Sequence, residues 1–409
     1  MSNRYLTAKQ AAKSLDISLS TLYAYVSRGL IRSEQSSEGR RQRRYYAEDI
    51  AKLLARREGR KNPEKLAKDA LHWGAPVLDS AITLIDNGKL YYRGKDVVQL
   101  VRQHSIEQVA ALIWTGDMAK ADILFDVDIF ISAQKYETML LHLELDGAEL
   151  TPLQELQTFL PAAAADDRAA YDLRPASVSS VGARIMRLMT SVLAGDVPEN
   201  LSIATMLQHG WCPNDEQSKM LFNATLIIMA DHELNSSSFA ARVVASAGST
   251  PYAAVLAGLS ALQGIKHGGS TARIEAFLNE IYAAEKMRDT IAARLRRGDV
   301  VPGFGHKLYP DGDPRAQLIL DLLNRHYDTP ELQRINAAIA AVKDLVGDSP
   351  NVDTTLVMMA RILNLPQGSP LALFALGRTI GWIGHAIEQY ERDRLIRPRA
   401  RYIGEHPTK

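Results

Sequence analysis

The sequence contains one cysteine, Cys212, in 409 residues. A single cysteine excludes an intramolecular disulfide and any cysteine cluster that could bind zinc. The flanking residues HGWCPND do not indicate the low-pKa environment that a nucleophilic thiol requires. We therefore expect this cysteine to be structural.

Charge of one sign and long apolar runs are scarce as well. The net charge is +1, and 46% of residues are hydrophobic against 23% charged. This balance is typical of a soluble globular protein with no overall attraction to nucleic acid or membrane. No apolar stretch reaches the roughly 18 to 20 residues that span a bilayer, and the N-terminal MSNRYLTAKQAAK lacks the apolar segment of a secretory signal. We expect a cytoplasmic protein of two or three domains, with no membrane partner.

The first sixty residues differ from the rest in pattern and charge. The segment LTAKQAAKSLDISLSTLYAYVSRGLI predicts two short helices, the first capped by Thr7 and the second by Ser18 or Ser20. Between Arg28 and Lys61 the chain carries eleven basic and five acidic residues. In a nearly neutral protein, this local positive excess places any basic partner surface in this part of the chain.

This segment resembles the winged helix-turn-helix of MerR and excisionase proteins. The resemblance implies a recognition helix from Ser20 to Ser27 and a wing and following helix in RRQRRYYAEDIAKL. A small helical module for protein contacts or oligomerisation is the alternative. The predicted DNA-binding residues are Ser20, Thr21, Tyr23, Arg40, Arg41, Arg43 and Arg44.

The remainder of the chain predicts a mostly α protein. Asn87-Gly88 lies between two strand-like runs in ITLIDNGKLYYRG and indicates a hairpin. Apolar periodicity then predicts helices, several of which begin with a capping residue followed by proline, as at Thr329-Pro330 and Ser369-Pro370. The predicted helices lie near 96–115, 135–146, 177–195, 215–230, 238–247, 252–262, 270–284, 314–326, 331–345, 354–363 and 370–391.

One stretch, VVPGFGHKLYPDGDPRA, places a histidine between glycines and an arginine shortly after it. Asp313 is predicted to cap a helix that begins with Pro314, which puts Arg315 in the first turn. Because helical side chains lean toward the N-terminus, Arg315 should point back toward His306. Imidazole, arginine, loop amides and helix N-terminus would together bind a carboxylate or phosphate. An ordinary capped helix with a surface arginine is the alternative.

Four further residues stand in patterns that suggest chemistry. His232 lies between two acids at a helix junction, and His267 lies beside glycines in GIKHGG. Asp353, in PNVD, starts an apolar helix and would be a weak base, since its reference pKa is about 3.9 and a helix N-terminus lowers it further. Arg378 lies in an apolar helix with no acid within one turn, so a substrate carboxylate is its expected partner. The alternatives are a satisfied core histidine for His232 and a helix-dipole contact for Asp353.

Six motifs, in order, closely resemble the citrate synthase family over about residues 75–409. They are DHELNSSSFAARVVAS, GIKHGG, VVPGFGHKLYPDGDPRA, PNVD, FALGRTIGWIGHAIEQ and RLIRPRARYIG. The resemblance implies a citrate synthase fold with large and small helical domains, after the helix-turn-helix domain. The implied divisions are a helix-turn-helix domain at 1–61, a linker at 62–75, a large domain at 76–264 and 362–409 with a C-terminal arm, and a small domain at 265–361.

The resemblance also implies roles for the singled-out residues. Asp353 would remove a proton from the acyl methyl of the thioester, His267 would hydrogen-bond the thioester oxygen, and His306 would polarise the ketone of oxaloacetate. The substrate carboxylates would be held by His232, Arg315, Arg378 and Arg397, the last from the neighbouring subunit of a homodimer or higher even-numbered oligomer. Coenzyme A would bind at Val301, Pro302, Gly303, Phe304, Gly305 and Lys307. No metal or other cofactor is expected.

Three functions follow from these expectations. The first is condensation of oxaloacetate with acetyl-CoA, followed by hydrolysis of the thioester to citrate and CoA. The second is the same reaction with propionyl-CoA, giving 2-methylcitrate. The third is a DNA-binding transcription regulator that uses the synthase body as a metabolite sensor.

Overall fold

A computed structural model of the chain describes residues 5–35, 43–47, 49–50, 53, 78–127, 150–195, 198, 200–283 and 285–407. The chain divides between Asp79 and Ser80 into two compact units. The predicted linker, at residues 62–75, lies outside the described residues. None of the helices in the described ranges is long and apolar enough to cross a bilayer.

The N-terminal unit combines two short helices with a three-stranded antiparallel sheet. Its elements are β1 (Tyr5–Thr7), α1 (Ala8–Leu15), α2 (Leu19–Ser27), β2 (Ser33–Gln35) and β3 (Arg43–Tyr46), and β3 is the central strand. The predicted cap at Thr7 is confirmed, since its hydroxyl accepts from the amide of Gln10 in a capping box. Ser18, not Ser20, caps α2 and accepts from the amide of Thr21.

This unit has a small apolar core of its own. The helices contribute Ala11, Ala12, Leu15 and Leu22, and the remainder comes from Ile31, Tyr45 and Ile50. Asp49 accepts from both Nε and Nη2 of Arg32, each at 3.0 Å. At the turn between α1 and α2, Asp16 takes a left-handed backbone with φ of 50° and donates its amide to the carbonyls of Ala12 and Lys13.

The second unit begins with a small antiparallel sheet. It consists of β4 (Thr83–Asp86), β5 (Lys89–Tyr92) and β6 (Lys95–Asp96), in that order. The predicted hairpin turn is confirmed, because Asn87 and Gly88 have φ of 49° and 73° and connect β4 to β5.

Helices make up the rest of the second unit, which confirms the mostly α prediction. They are α3 (Val97–Gln103), α4 (Ile106–Thr115), α5 (Ala121–Phe125), α6 (Pro152–Asp166), α7 (Pro175–Ala194), α8 (Ile203–Trp211), α9 (Ser218–Met229), α10 (Ser236–Ser246), α11 (Pro251–Leu262), α12 (Ser270–Ala283), α13 (Met287–Arg296), α14 (Pro314–His326), α15 (Pro330–Val346), α16 (Val352–Ile362) and α17 (Ser369–Arg392), with short 3-10 turns at Met118–Lys120 and Arg168–Tyr171.

The helix predictions hold in most places and differ in a few. The predicted helix at 96–115 is two helices, because Ser105 caps α4 after an extended residue at His104. Gly368, and not Ser369, precedes the first residue of α17. Helices α5, α6, α8 and α13 were not predicted, and the predicted helix at 135–146 lies outside the described residues.

Two separate apolar cores organise the helical unit. The larger one surrounds α17, which is buried along most of its length and packs against α7, α9, α10 and α11. The smaller one joins α12, α13, α15 and α16 through residues such as Ile274, Phe277, Ile335 and Met358. Helix α14 contributes to both cores, with Ile319 in the larger and Leu320 in the smaller. The segments after α9, before α12 and before α16 lie close to this junction and carry the candidate site.

Candidate active site

The centre of the site is a cluster of two imidazoles and a phenol. The rings of His232 and His306 lie edge to face, with centroids 5.5 Å apart. Tyr309 packs against both, at 5.7 Å from His232 and 4.9 Å from His306. Its hydroxyl is 2.9 Å from Nε2 of His232. Two histidines that are 74 positions apart in the sequence therefore face one small volume.

His232 is positioned by the abrupt end of α9. Glu233, which follows it, has a left-handed backbone with φ of 53°, and Asn235 then caps α10 by accepting from the amides of Ser237 and Ser238. A non-glycine residue in this conformation costs about 1 to 3 kcal/mol and persists only where the surroundings impose it. The turn directs His232 inward, where its side chain is almost completely buried.

Asp231, beside His232, anchors the turn from behind. It is fully buried, its Oδ2 accepts from Oγ1 of Thr83 at 2.6 Å, and its Oδ1 is 3.2 Å from Nε2 of His385. Burial raises the pKa of Asp231, but His385 and Arg378 outweigh burial and the net pKa is lowered. On its other side His385 Nδ1 faces Arg242, which pairs with Glu388 at 3.1 Å. The turn that carries His232 is thus held from behind by a chain of polar contacts that runs from Thr83 through Asp231, His385 and Arg242 to Glu388 in the last two turns of α17.

Arg315 lies at the start of α14 as predicted. Asp313 accepts from the Arg315 amide at 3.0 Å and Pro314 is the first helical residue, which confirms the predicted cap. The guanidinium is buried and donates through Nε and Nη2 to Asp313, with Cζ 5.4 Å from the ring centre of Tyr309. Since Nη1 has no hydrogen-bond partner within the described part of the chain, it remains available to an anion in the imidazole cluster.

Arg378 is the second cation of the site and is 1% exposed. Its Nε donates to the carbonyl of Met229 at 2.7 Å, and its guanidinium stacks on Phe374 at 4.8 Å. The described ranges give it no carboxylate within ion-pair distance, and burial lowers its pKa to about 10 against the opposing charge of Asp231. A buried and unpaired guanidinium is the expected property of an arginine whose partner is a bound anion.

His267 lies in the turn before α12. Its Nε2 is 2.9 Å from the hydroxyl of Ser237, and its ring meets Phe374 edge to face at 5.7 Å. The same hydroxyl accepts from Nε1 of Trp382 at 3.2 Å and donates to Oδ1 of Asn235 at 2.8 Å. Because the single hydroxyl proton of Ser237 goes to Asn235, Nε2 of His267 is the donor in the contact with Ser237 in this structure.

Asp353 is in the first turn of α16 and is half-buried. Its Oδ2 accepts from the hydroxyl of Ser270 at 2.7 Å. The expectation of a lowered pKa is wrong. Burial raises the pKa of Asp353 and outweighs the Ser270 hydrogen bond and the charge of Arg315. A carboxyl with a raised pKa is a stronger base when ionised than the sequence position suggested.

The glycine-rich loop is held against the segment that precedes α16. Gly305 donates its amide to the Ser349 carbonyl at 2.8 Å, and the Gly303 carbonyl accepts from the Asn351 amide at 2.9 Å and from the Thr354 hydroxyl at 2.5 Å. Gly303 and Gly305 have φ of 84° and 77°, which other residues rarely adopt. Of the remaining predicted loop residues, Val301 and Pro302 are buried, Phe304 is half-buried and Lys307 is exposed. The loop and the base-bearing helix therefore form one bonded unit.

All three histidines of the site have lowered pKa values. Burial lowers the pKa of His267 to about 4 and also lowers that of His306, with the charge of Arg315 added. The pKa of His232 is lowered most strongly by burial and then by Arg315 and Arg378. The imidazoles are therefore neutral near pH 7. Because His306 Nδ1 accepts from the Leu308 amide at 3.2 Å, its proton is on Nε2, which is a donor.

Some predicted residues are not brought to this cluster. Arg397 is exposed on the segment after α17, and within the described chain no hydrogen bond or ion pair joins it to the other site residues. In the N-terminal unit Tyr23 is 52% exposed, Ser20 and Arg43 are exposed, and Thr21 and Arg44 are half-buried. Arg40 and Arg41 lie outside the described residues. Cys212 is buried and burial raises its pKa, in accord with a structural role.

Three site residues were missed by the sequence interpretation. Tyr309, Ser237 and Ser270 each contact one of the predicted residues, across 77, 30 and 83 positions of sequence. Tyr309 is three positions from His306, and Ser237 and Ser270 are close to the motif residues Asn235 and His267. That proximity to a motif was the only signal available.

The arrangement can perform a specific kind of chemistry. The site combines a carboxylate of raised pKa, neutral imidazoles that can donate hydrogen bonds to carbonyl oxygens, and two buried arginines whose charges act on that carboxylate. Such a set suits proton removal next to a carbonyl in a substrate that carries carboxylates. No group of side chains suited to a metal ion occurs in the part of the chain that the structure describes.

Comparisons with known proteins agree with this reading. Residues 70–399 match the family model for the citrate synthase C-terminal domain, and residues 5–58 match a helix-turn-helix domain model. Citrate synthase of Haloferax volcanii is 30% identical, with 81% of this chain and 94% of that protein covered. The 2-methylcitrate synthase of Mycobacterium tuberculosis is 28% identical, covering 81% of this chain and 89% of that protein.

Solved structures show the same fold. The crystal structure of citrate synthase from Thermotoga maritima superposes with a TM-score of 0.69 at 24% identity, covering 82% of this chain and 96% of that one. A ternary complex of citrate synthase from Thermoplasma acidophilum with carboxymethyl coenzyme A and oxaloacetate superposes with a TM-score of 0.67 at 23% identity, covering 82% of this chain and 95% of that one.

Proposed function

The chain belongs to the citrate synthase family, and from this premise we propose that it condenses oxaloacetate with acetyl-CoA and hydrolyses the resulting thioester to citrate and CoA. The relatives include citrate synthases and 2-methylcitrate synthases, both of which transfer an acyl group to carbon. The observation that carries the proposal is Asp353, a carboxylate that accepts from Ser270 and has a raised pKa, in a site that also holds neutral imidazoles and two buried arginines. A protein that only binds these substrates has no use for a base at this position.

The first step in this proposal is enolisation of the thioester. Asp353 takes a proton from the acyl methyl, and Nδ1 of His267 donates a hydrogen bond to the thioester oxygen as negative charge develops there. In this step the Ser237 hydroxyl, which donates to Asn235 in the structure, turns to Nε2 of His267 at 2.9 Å, and the imidazole proton is then on Nδ1. A donor directed at the oxygen where charge develops stabilises the oxyanion.

Carbon–carbon bond formation follows. The enol carbon attacks the ketone carbon of oxaloacetate, and the ketone oxygen becomes a hydroxyl by taking the proton that His306 holds on Nε2. Arg315 and Arg378 hold the carboxylates from within the chain, with His232 between them. Arg397 of a neighbouring subunit completes the set in a dimer. Water then cleaves the thioester and releases CoA.

The glycine-rich loop is proposed to receive the coenzyme. Gly303 and Gly305 have positive φ and no side chain, so a ligand could approach the backbone amides and carbonyls of the loop closely. Lys307 is exposed in the same loop. The pairing of this loop with the segment before α16 would fix the distance between the thioester and Asp353. We further propose that residues 265–361 move as a small domain that closes over the substrate and excludes water before hydrolysis.

Thiol release with acetyl-CoA and propionyl-CoA, side by side, tests the substrate. Turnover with oxaloacetate and a product mass equal to citrate or 2-methylcitrate would establish the synthase, and the ratio of kcat/KM for the two thioesters would identify the acyl group. Propionyl-CoA preferred by tenfold or more would replace the acetyl proposal with the 2-methylcitrate reaction. No turnover with either thioester would contradict both.

DNA binding is a second proposed function, supported by the helix-turn-helix match and by the exposed face of α2. Ser20, Tyr23 and Ser27 are spaced three and four residues apart, so they share the exposed face of the helix. Arg43 and Arg44 on β3 lie in the proposed wing and would contact phosphates. In this view the synthase body reports oxaloacetate or acyl-CoA to the DNA-binding unit.

Salt dependence provides the test of DNA binding. Replacing Arg43 and Arg44 by glutamine should weaken duplex binding for all sequences and reduce the slope of log K against log salt by about one per lost phosphate contact. Arg325→Gln, at an exposed arginine of α14, is the matched control. Affinity that does not fall with added salt, or that is equal in both variants, would refute this function.

A further inference from the structure

Ser270 is the first residue of α12 and directly follows the His267-Gly268-Gly269 turn. Its hydroxyl does not cap its own helix. It donates instead to Oδ2 of Asp353 at 2.7 Å, across 83 positions of sequence. The side chain is therefore directed to the carboxylate and not to local backbone.

A rigid pair of helices supports this hydrogen bond. One turn beyond Ser270, Ile274 is fully buried, and one turn beyond Asp353, Val357 is 1% exposed. Both belong to the smaller apolar core, in which α12 packs against α16. The two side chains consequently meet at the end of a packed interface, and their distance is set by the core and not by a loop.

The two oxygens of the carboxylate have different surroundings. Oδ2 is bonded to Ser270, whereas Oδ1 has no hydrogen-bond partner within the described ranges. Without such a contact, the χ2 torsion of an aspartate takes a broad range of angles and the two oxygens are nearly interchangeable. One fixed oxygen therefore determines where the other one points.

We propose that Ser270 is a positioning residue for the base of the reaction, holding Oδ2 of Asp353 so that Oδ1 faces the acyl methyl. This inference rests on the proposed synthase function. It gives Ser270 no contact with substrate and no proton to transfer. The hydrogen bond favours the ionised carboxylate, so it also limits how far burial raises the pKa of Asp353.

The direction of the pH effect follows from this bond. Removing the hydroxyl leaves burial unopposed by Ser270, so the pKa of Asp353 rises and less of the base is ionised at a given pH. A hydrogen bond to a charged group corresponds to roughly one pH unit. Ser270→Ala should therefore move the acidic limb of the kcat/KM profile about one unit upward.

Three variants separate positioning from general stability. Ser270→Ala removes the hydroxyl, Ser270→Thr retains it, and Ser260→Ala is the matched control. Ser260 is an exposed serine of α11 whose hydroxyl donates to the Leu256 carbonyl, away from the site. We expect Ser270→Thr and Ser260→Ala to keep the wild-type profile.

The first measurement does not depend on turnover. Carbon-13 NMR of protein labelled in the aspartate carboxyls, with the Asp353 resonance assigned from Asp353→Asn, gives the pKa of Asp353 directly. Ser270→Ala should raise it by about one unit relative to wild type and to the other two variants. An unchanged or lower pKa in folded Ser270→Ala would overturn the inference whether or not the protein is a synthase.

The second measurement tests the effect on the proton-transfer step. With trideuterated acetyl-CoA, Ser270→Ala should lower kcat about tenfold and enlarge the kinetic isotope effect on kcat, while oxaloacetate affinity stays within twofold of wild type. Equal isotope effects and equal kcat in the two proteins would refute the positioning role. Absence of turnover in wild type itself would refute the proposed function instead, and the NMR titration would still decide the Ser270 contact.

Discussion

Replacing Arg378 should weaken oxaloacetate binding strongly and change the stability of the protein little. In Arg378→Met the charge is removed and most of the side-chain volume is kept. Burial lowers the pKa of this arginine from 12.5 to about 10. The shift means that the folded protein disfavours the charged guanidinium by roughly 3 kcal/mol relative to water. The substitution would relieve that cost. It would also leave the Met229 carbonyl without its donor, at about 1 to 3 kcal/mol, and remove the Phe374 contact, at about 0.5 to 1 kcal/mol.

These contributions nearly cancel, so the thermal midpoint of Arg378→Met should stay within a few degrees of wild type. Oxaloacetate binding should change strongly, because loss of one member of a buried charge pair costs about 2 to 5 kcal/mol, or at least roughly thirtyfold in Kd. Calorimetric titration with oxaloacetate and differential scanning calorimetry measure the two quantities. The stabilisation by saturating oxaloacetate should be smaller in the variant by about 2 kcal/mol or more, which is the thirtyfold change in Kd.

Arg184→Met is the matched control for this substitution. Arg184 is also buried, but it donates through Nε and Nη2 to Asp167 at 2.9 and 3.0 Å, and Asp167 is fully buried. Its removal strands a buried carboxylate and should destabilise the protein by about 3 to 5 kcal/mol. If Arg378→Met lost as much stability as Arg184→Met, or bound oxaloacetate normally, the account of Arg378 as an anion receptor would be refuted.

Two further predictions concern the coenzyme loop and acid stability. Gly303→Ala should raise KM for acyl-CoA tenfold or more, because φ is 84° and the added Cβ would lie 2.0 Å from the Thr354 hydroxyl. Gly298→Ala, with φ of 81° and no atom within 4 Å, isolates the backbone strain, and equal KM values in both variants would contradict the loop assignment. For pH, the folded pKa of His267 is lowered from 6.5 to about 4, so its unfolded state binds more protons between these values. The thermal midpoint should therefore fall as pH drops from about 6.5 toward 4, and His267→Gln should flatten that fall. A variant as acid-sensitive as wild type would argue against a neutral His267.

The sequence was informative where local chemistry decides structure. Asp313-Pro314 predicted both the start of α14 and the direction of Arg315, because a capping acid and a proline act within one turn. The unpaired charge of Arg378 was visible for a similar reason, since no acid lies within one turn of it. Helix α6 shows the limit of such patterns. Pro161 lies inside it and interrupts the apolar periodicity, yet Thr151 caps a helix that runs on to Asp166.

Long-range packing determines the properties that the sequence could not indicate. The raised pKa of Asp353 depends on how deeply α16 and α12 bury it, which no local pattern reports. The Ser270 contact joins segments 83 positions apart, and the Ser237 contact with His267 joins segments 30 apart. Residue type identified the acids, bases and cations, whereas the tertiary structure determined their pKa values and which nitrogen of each imidazole donates.

Asp353→Asn tests the central claim most directly, because it removes the base and keeps the size of the side chain. Thiol release from acetyl-CoA and propionyl-CoA with oxaloacetate should fall at least a hundredfold in the variant, while its oxaloacetate affinity and thermal midpoint remain close to wild type. Turnover in Asp353→Asn equal to wild type, or no turnover in a wild-type protein that still binds oxaloacetate, would contradict the assignment of this chain as a synthase.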